Sequence, residues 1–435
     1  MVVIDDASDV PAPGTAATPA MIMVACNSAP ASLVVPPPAE LGRTITAAGA
    51  SHEIADERMS RDHAKVSWDR GTWTIRDLDS RNGTYVNGER VHGEVKRRGD
   101  VVLRIGHTIL VLVADGRGHP RISDATDANG SVVGPELARV HDQLQRLAHD
   151  GAGLALVQGG VGSGKQLAAR VYHAASPRSG PFITVGCAAI HGVAERLLFG
   201  GKKGVVETIG HLQMARGGTL YLSDIAELDP TAQASLARLL AARDAGAPID
   251  TNIVCSGPDL RLAVSDGRLR PDLYERLSKL SVTVPPLRAR RVDLARLMQL
   301  EAAELGRERG RALMLHPRLM ETCLLRPWPH NVRELRAAIR HAGSRALADD
   351  REMIRPEDLL DSAGLPPGAN SAETAVERKS GPSVPDLGPA SLAQAMERAN
   401  GSLAVAARAL NMHRTQLAKL LEEAAIPYEG LAHDD

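Results

Sequence analysis

The chain has few aromatic residues, scattered cysteines and almost no net charge. Aromatic residues make up 2% of its 435 residues, and its formal net charge is −1. Without an overall basic field, any contact with DNA must come from a local patch. The four cysteines, Cys26, Cys187, Cys255 and Cys323, form no Cys-x-x-Cys pair. Their spacing indicates neither a zinc site nor a disulfide framework, and it favours buried thiols in a reducing compartment.

Long apolar runs are also missing. No stretch reaches the roughly 18 consecutive apolar residues of a transmembrane helix. The N-terminus carries Asp5, Asp6 and Asp9 where a signal peptide has positive charge. We therefore expect a cytoplasmic protein without membrane contact, and a chain of this length holds about two to four domains.

A glycine-rich loop connects a predicted strand to a predicted helix. The apolar run 154–157 indicates a buried strand, and a helical pattern follows Lys165. The loop reads G-x-x-x-x-G-K, whose amides and helix N-terminus bind nucleotide phosphates while the lysine adds a charge. The predicted nucleotide-binding residues of this segment are Gly159, Gly160, Val161, Gly162, Ser163, Gly164, Lys165 and Gln166. Because Gln166 replaces the usual Ser or Thr, the hydroxyl ligand for Mg²⁺ is missing, and we assign no metal-ligating residue.

Composition and periodicity divide the chain into seven segments. Short alternating strands indicate an all-β domain, and alternating strands and helices follow it. Segments rich in Gly, Pro, Ser or Asp indicate linkers. The expected segments are a loosely ordered 1–31, the β domain 32–114, a linker 115–134, an α/β subdomain 135–282, a helical subdomain 283–361, a linker 362–388 and terminal helices 389–428.

Polar residues of the β domain fall in its turns, where binding residues usually lie. These turns are Gly42-Arg43, Ser60-Arg61-Asp62-His63, Ser80-Arg81-Asn82-Gly83-Thr84 and Asn87-Gly88. Together they resemble the forkhead-associated domain, a β-sandwich that binds phosphothreonine in a protein or kinase partner. The resemblance implies Arg43 and Ser60 for the phosphate, Asn82 for the peptide backbone, and Arg61 and Arg81 as assisting cations. It implies a loop-bracing role for His63, and the alternative is that all these residues only cap loops.

The segment 135–361 carries an ordered set of motifs. Besides the glycine loop they are Pro181-Phe182-Ile183, Leu198-Phe199-Gly200, Gly217-Gly218-Thr219-Leu220, Arg270-Pro271-Asp272-Leu273, Pro285-Pro286-Leu287-Arg288 and Trp328-Pro329-His330-Asn331-Val332-Arg333. In this order they resemble the AAA+ domain of bacterial enhancer-binding proteins, which form rings and use ATP to activate sigma-54 RNA polymerase. The resemblance implies that Arg270 and Arg276 reach a neighbouring subunit's γ-phosphate and that Arg333 of the lid senses the nucleotide.

Three departures from that family pattern bear on catalysis. The acidic Asp-Glu pair is Ser223-Asp224 here, so Asp224 alone remains as a catalytic carboxylate. The loop that contacts polymerase has lost its Phe-Thr-Gly core at residues 204–209, and Gly257 stands where the family has a sensor Asn. We therefore expect binding of ATP or ADP. Hydrolysis, a role for Mg²⁺ and contact with sigma-54 stay open.

The terminal helices each carry one apolar stripe at helical spacing. The stripes are Leu392, Ala395, Met396 and Ala399, then Leu403, Ala406, Ala407 and Leu410, then Leu417, Leu420, Leu421 and Ala424. They resemble the Fis-type helix-turn-helix, whose last helix enters the major groove. The implied DNA-binding residues are Arg408, His413, Arg414, Thr415, Gln416 and Lys419. Because Glu422 and Glu423 add negative charge there, a dimerisation bundle without DNA contact is the alternative.

The sequence thus predicts an all-β sandwich, then an α/β P-loop AAA+ core with a helical lid, then an all-α helix-turn-helix. The predicted function is a DNA-binding transcription regulator with phosphothreonine input that assembles as a dimer or ring. Two alternatives remain: a working sigma-54 activator ATPase, and a pseudo-ATPase scaffold.

Overall fold

The computed structural model describes residues 18–26, 29–117, 132–203 and 206–366, together with Ala393, Met396 and Leu421. The chain forms two compact units, Met1–Ser371 and Ala372–Asp435. In the second unit Met396 and Leu421, which belong to the predicted apolar stripes, are buried. The predicted DNA-binding residues lie outside the described residues, namely Arg408, His413, Arg414, Thr415, Gln416 and Lys419.

The first unit begins with a β-sandwich of two six-stranded antiparallel sheets. Its strands are β1 (Ala20–Cys26), β2 (Ala29–Val35), β3 (Ala39–Leu41), β4 (Thr44–Ala47), β5 (Ala50–Glu53), β6 (Ala64–Asp69), β7 (Thr72–Asp77), β8 (Thr84–Val86), β9 (Glu89–Val91), β10 (Glu94–Arg98), β11 (Val101–Ile105) and β12 (Thr108–Val113). The first sheet has the order β2-β1-β12-β11-β8-β9, and the second has the order β10-β7-β6-β3-β4-β5. The predicted all-β sandwich is confirmed.

The sandwich begins earlier than the sequence indicated. We expected residues 1–31 to be loosely ordered, but β1 lies between β2 and β12 in the first sheet. Met21 and Met23 face the core between the two sheets, whereas Ile22 and Val24 face a second core on the outside of the sheet. Because both faces of this strand are apolar, it lacks the alternation that marks a half-exposed strand.

A parallel α/β core follows, and this prediction is also confirmed. Its five-stranded sheet has the order β14-β17-β18-β13-β19. The elements are α1 (Pro135–His149), β13 (Leu154–Gln158), α2 (Lys165–Ala175), β14 (Phe182–Gly186), α3 (Ala194–Phe199), β15 (Gly201–Lys203), β16 (Val206–Thr208), α4 (His211–Met214), β17 (Thr219–Ser223), α5 (Pro230–Asp244), β18 (Asn252–Gly257), α6 (Leu260–Ser265), α7 (Pro271–Ser278) and β19 (Ser281–Thr283). The glycine loop follows the carboxyl end of β13 and Ser223-Asp224 lie at the carboxyl end of β17, so both lie at the same edge of the sheet.

The lid completes the first unit. It consists of α8 (Arg291–Glu308), β20 (Met314–Leu315), α9 (Pro317–Leu325), α10 (Asn331–Ala348) and β21 (Met353–Ile354). Helices α8 and α10 are joined by Glu301, which is buried and accepts hydrogen bonds from Arg336 and Arg340. Among the residues that the structure describes, no helix is both long enough and apolar enough to cross a membrane.

The sandwich packs directly on the lid. Strand β1 contacts α8, and strands β11 and β12 contact α9. The shared apolar core contains Ile22, Val24, Val102, Ile109 and Val111 of the sandwich with Leu294, Ala295, Met298, Leu319, Met320 and Cys323 of the lid. The outer face of the first sheet, which water covers in an isolated sandwich, is therefore buried here.

One ion pair is enclosed at this contact. Arg104 of β11 donates through Nε to Oε2 of Glu321 in α9 at 2.6 Å, and the two side chains are 9% and 8% exposed. The Arg104 guanidinium also lies 3.9 Å from the centre of the Tyr85 ring. Because both charges have left water, each depends on the other for compensation.

We therefore predict opposite effects for single and double replacement of this pair. Glu321→Met leaves the Arg104 charge buried without an anion and should lower the free energy of unfolding by about 3 kcal/mol. Adding Arg104→Met should restore most of that loss, because two apolar side chains fit an apolar contact. Urea unfolding measures both values. Glu40→Ala, which breaks an exposed pair with Lys65, should cost less than about 1 kcal/mol. An equally small loss for Glu321→Met would contradict the prediction.

Candidate functional site

The glycine loop lies between β13 and α2 with its lysine folded onto its own backbone. Lys165 is the first residue of α2, and its Nζ donates to the carbonyl oxygens of Gly159 at 3.0 Å and Gly160 at 2.9 Å. Gly162 has a φ of 69°, and a Cβ there would lie 2.2 Å from the backbone oxygen of His330. Only glycine fits this position, so the loop has the backbone of a phosphate cradle.

The start of α10 closes over this loop. Asn331 donates from Nδ2 to the carbonyl of Val161 at 2.8 Å and accepts at Oδ1 from the backbone N–H of Leu287 at 2.7 Å. The N–H of Val332 donates to the carbonyl of Gly162 at 3.1 Å. The hydroxyl of Ser163 is buried without a hydrogen-bond partner among the described residues. These contacts fix the lid to the loop and leave polar groups for a ligand.

Three of the predicted nucleotide-site charges lie together. The pKa of Lys165 is lowered, chiefly by burial. The negative charge of Asp224 opposes this change, and the positive charge of Arg333 adds to it. Asp224 is exposed in the turn after β17, with a left-handed φ of 56°. Lys165, Asp224 and Arg333 thus lie close enough to influence one another, and they supply two positive charges and one negative charge beside the glycine loop.

The residues that would bind a metal ion fit Mg²⁺ less well than the loop fits phosphate. Gln166, Ser223 and Asp224 offer one amide, one hydroxyl and a single carboxylate, which is the minimum with which Mg²⁺ is bound beside nucleotide phosphates. Within the described ranges no group of three or more His, Cys, Asp or Glu residues is placed to bind a metal. A Mg²⁺ ion at this site would depend mainly on the nucleotide for its ligands.

The position expected to carry a sensor side chain has no free space. Gly257 ends β18, and a Cβ built on it would lie 2.6 Å from Cδ2 of Leu260. Leu260 itself is fully buried. A polar side chain at residue 257 would therefore require Leu260 to move.

The predicted arginine fingers lie elsewhere on the α/β subdomain. Arg270 precedes α7 and makes a two-bond ion pair with Asp272 at 3.0 and 2.9 Å. Arg276, on α7, pairs with Asp244 of α5. Both arginines line an open cavity of about 380 Å³ together with Arg238. They are thus held by acidic residues of their own chain, and a contact with a nucleotide would have to come from a neighbouring copy.

The predicted phosphothreonine residues meet at one end of the sandwich. Arg43 donates from Nε to the carbonyl of Met59 at 3.0 Å. The N–H of Arg81 donates to Oγ of Ser60 at 3.2 Å, and Asn82 donates from Nδ2 to the carbonyl of Arg58 at 2.6 Å. The Arg43 guanidinium, the Ser60 hydroxyl, the backbone N–H of Arg81 and the Asn82 amide are therefore brought together from three separate turns.

The other residues of these turns shape the loop. Gly42 is essential to the close approach, because a Cβ there would lie 1.7 Å from the carbonyl oxygen of Arg61, whose side chain is exposed. His63 is buried, accepts at Nδ1 from the N–H of Ser60 at 3.0 Å, and lies with Nε2 3.3 Å from the carbonyl of Gly83. This bonding requires a neutral ring that carries its proton on Nε2. The predicted bracing role of His63 agrees with these contacts.

Sequence reasoning missed three positions that hold the two sites. Asn331 joins the lid to the glycine loop, and buried Arg290 donates from Nη2 to the carbonyl of Ser163 at 3.1 Å. Asp77 accepts from the N–H and hydroxyl of Ser80 and from the hydroxyl of Thr84. Burial raises the pKa of Asp77, but these bonds outweigh it and lower the pKa overall. The Asp-x-x-Ser spacing was a signal for the last position, whereas the first two depend on contacts distant in sequence.

Comparison with known families identifies the domains. Residues 132–283 match the Sigma-54 interaction domain. Residues 40–111 match the FHA domain, and residues 288–374 match the AAA+ ATPase lid domain. These three predicted domains are confirmed.

Individual relatives share the central part of the chain. A Nif-specific regulatory protein of Azospirillum brasilense is 35% identical over 271 residues, covering 59% of this chain and 42% of that protein. The transcriptional regulatory protein XylR of Pseudomonas putida is 32% identical over 318 residues, covering 66% and 56%. The matched region is therefore about half the length of these relatives. The crystal structure of NtrX from Brucella abortus in complex with ADP is 26% identical with a TM-score of 0.49, covering 68% of this chain and 70% of that one.

The neutral state of His63 predicts a pH-dependent stability. Burial is the main cause of its lowered pKa, opposed by the Gly83 carbonyl and by Asp77 and Asp56. The unfolded chain then binds a proton more readily than the folded one, so this contribution is present at neutral pH and is lost as the pH falls below about 6.5. His63→Gln keeps an acceptor and a donor but does not titrate, so between about pH 7.5 and pH 5.5 it should lose less stability than the wild type.

Thermal unfolding across this pH range measures the difference, since the other histidines titrate alike in both proteins. His52→Gln, at an exposed strand position, serves as the control and should follow the wild-type curve. Identical pH dependence for His63→Gln and the wild type would contradict the assignment.

Proposed function

We propose that this chain is a DNA-binding transcription regulator that binds phosphothreonine through its sandwich and ATP or ADP through its AAA+ core. The observation that carries the proposal is the combination of an intact phosphate cradle with a substituted catalytic pair, Ser223-Asp224, beside it. Such a core fits nucleotide binding better than turnover, and it therefore diverges from standard sigma-54 activation. The fold supports the proposal because both candidate sites lie in one compact unit.

Binding and hydrolysis depend on different groups of this site. Backbone amides and Lys165 supply phosphate binding and do not depend on the substituted residues. Hydrolysis needs an aligned water and a positioned metal ion. Asp224 is one methylene shorter than Glu, and Ser223 carries no charge. Each 1.4 kcal/mol of lost barrier stabilisation slows turnover about tenfold, so we expect bound nucleotide with little phosphate release.

The first test of this proposal measures binding and turnover in the same sample. With Mg²⁺ and ATP present, calorimetry should detect one nucleotide site, and a phosphate-release assay should detect at most slow turnover. Lys165→Ala should abolish binding, whereas Lys279→Ala, at an exposed position after α7, should leave it unchanged. Rapid phosphate release that Lys165→Ala removes would instead support the alternative of a working ATPase.

The sandwich site supports a phosphorylated ligand on chemical grounds. A phosphate dianion is bound by charge-assisted hydrogen bonds from guanidinium and hydroxyl donors. Arg43 and Ser60 offer these groups at one end of the sandwich, where the backbone N–H of Arg81 also lies, and Asn82 adds an amide for the peptide backbone. Arg61 lies at the same end with its side chain in solvent. A phosphothreonine protein, or a kinase, is the proposed partner.

A phosphopeptide assay tests this second site. A degenerate phosphothreonine peptide array should yield a peptide that binds the protein, and the unphosphorylated form of that peptide should not bind. Arg43→Ala should weaken that peptide about tenfold or more, because a hydrogen bond to a charged group contributes about 1.5–3 kcal/mol. Arg70→Ala, in the turn between β6 and β7 and thus at the opposite end of these strands, should bind like the wild type. Equal weakening by both variants would contradict the assignment.

The remaining parts of the proposal rest on family resemblance. We propose that residues 389–428 bind DNA through Arg408, His413, Arg414, Thr415, Gln416 and Lys419. We further propose that the protein acts in the cytoplasm as a dimer or ring in which Arg270 and Arg276 approach a neighbour's nucleotide. The open cavity at these two arginines is compatible with such a contact.

A working sigma-54 activator is the second candidate, and the match of residues 132–283 to the Sigma-54 interaction domain favours it. It requires Ser223-Asp224 to support hydrolysis and residues 204–216 to contact sigma-54. The third candidate is a scaffold that assembles without nucleotide. Activation in a reconstituted sigma-54 transcription system separates the second candidate from the first, and persistent assembly of Lys165→Ala separates the third.

A further inference from the structure

The glycine loop and the sandwich are attached to the same turn of the lid. Arg290, at the N-terminus of α8, donates from Nη2 to the carbonyl of Ser163 in the glycine loop at 3.1 Å. The next residue, Arg291, donates from Nη1 to the carbonyl of Asp100 in the β10–β11 turn of the sandwich at 2.9 Å. Two consecutive side chains therefore join the candidate nucleotide site to the candidate phosphothreonine domain.

The glycine loop must change its bonding when it binds a nucleotide. Lys165 donates to the carbonyls of Gly159 and Gly160, and it has to leave them to reach a phosphate. The next three residues of the same loop, 161–163, offer their carbonyls to Asn331, Val332 and Arg290 of the lid side. A rearrangement of this loop therefore acts directly on groups that position the start of α8 and α10.

The contacts between the sandwich and the lid would transmit a movement of the lid to the sandwich. Beyond the shared apolar core, Gln299 of α8 donates to the carbonyl of Val24 at 2.9 Å, and Arg104 is paired with Glu321 of α9. Because a close-packed contact resists gradual deformation, the sandwich must either follow the lid or lose these bonds.

The lid-facing sheet also anchors the candidate phosphothreonine loop. Asp56 accepts a hydrogen bond from the N–H of His107 at 2.7 Å and another from the hydroxyl of Thr108 at 2.9 Å. His107 lies in the β11–β12 turn, and Thr108 is the first residue of β12. Asp56 also accepts from the N–H of Arg58 at 3.0 Å, and the carbonyl of Arg58 accepts from Asn82. On the lid side, the His316 ring before α9 lies 6.3 Å from the His107 ring, centre to centre. A short series of hydrogen bonds thus runs from the β11–β12 turn, which faces His316 of the lid, to Asn82. Strand β11 joins this turn to Asp100, the residue that Arg291 contacts.

We propose that nucleotide binding and phosphothreonine binding are thermodynamically coupled through α8, with Arg291 as a positioning residue for the coupling. The proposal rests on the proposed function, since it needs both sites to bind their ligands. By linkage, whatever factor nucleotide applies to the affinity for phosphopeptide, phosphopeptide applies to the affinity for nucleotide.

The test measures both affinities on the full-length protein. The probes are the phosphothreonine peptide selected on the array, followed by fluorescence anisotropy, and ADP, followed by calorimetry. Saturating ADP should change the peptide Kd by about fivefold or more, the lower end of typical coupling between sites, and saturating peptide should change the ADP Kd by the same factor. Arg291→Gln should bind each ligand alone as the wild type does but reduce the factor towards one. Arg307→Gln, an exposed arginine near the other end of α8, should keep the wild-type factor.

Each outcome separates this proposal from the proposed function. If both ligands bind and neither changes the affinity for the other, the coupling is wrong and the two sites stand. If the factor persists in Arg291→Gln, the assigned route is wrong. Hydrogen exchange with ADP alone provides a measurement without a peptide: amides of 54–63 and 79–83 should change their exchange in the wild type but not in Arg291→Gln. Unchanged exchange while calorimetry shows bound ADP would overturn the proposal.

Discussion

The arrangement of the first unit depends on one sheet that is buried on both faces. Strands β1, β11 and β12 direct alternate side chains into the sandwich core and into the core shared with the lid. A sandwich that stands alone exposes the outer face of each sheet to water, and exposing this apolar face would be unfavourable. Burial against α8 and α9 is therefore a requirement of the sequence of these strands, and it makes the sandwich an integral part of the nucleotide-binding unit.

The lid then serves as the common support of two candidate sites. Its helix α8 carries the apolar side chains that cover β1, and the residues at its start reach the glycine loop and the sandwich turn. Buried charges at these contacts are costly unless they are paired, as Arg104 is with Glu321 and Arg290 is with Asp293. Burial raises the pKa of Asp293 to about 7 although Arg290 opposes the change.

The features that could be predicted from the sequence are those whose pattern spans only a few neighbouring residues. The glycine loop, the strands around 64–76 and 101–113 and the polar turns each carry their signal within a few residues, so their types and places were accessible. The contact between sandwich and lid was not accessible, because Arg104 and Glu321 are 217 residues apart. Strand β1 was missed because Met21, Ile22, Met23 and Val24 show no alternation. Asn331 lay in a recognised motif, but its link between Val161 and Leu287 exists only in the folded chain. The terminal helices lie almost wholly outside the described residues, so their DNA-binding role stays a prediction.

The substitutions at the nucleotide site leave the groups for phosphate binding intact but affect the groups that position water and a metal ion. Phosphate binding by a glycine loop uses backbone amides and the lysine, and this chain keeps both. Orientation of water and metal uses particular side chains, and these are the ones that differ at Gln166, Ser223 and Gly257. At residue 257 the difference has been built into the packing, because Leu260 occupies the space that a side chain would need. Restoring Asn there would also require the Leu260 side chain to shift. Under the proposed function, nucleotide would act in this chain as a bound ligand whose effect passes through the lid.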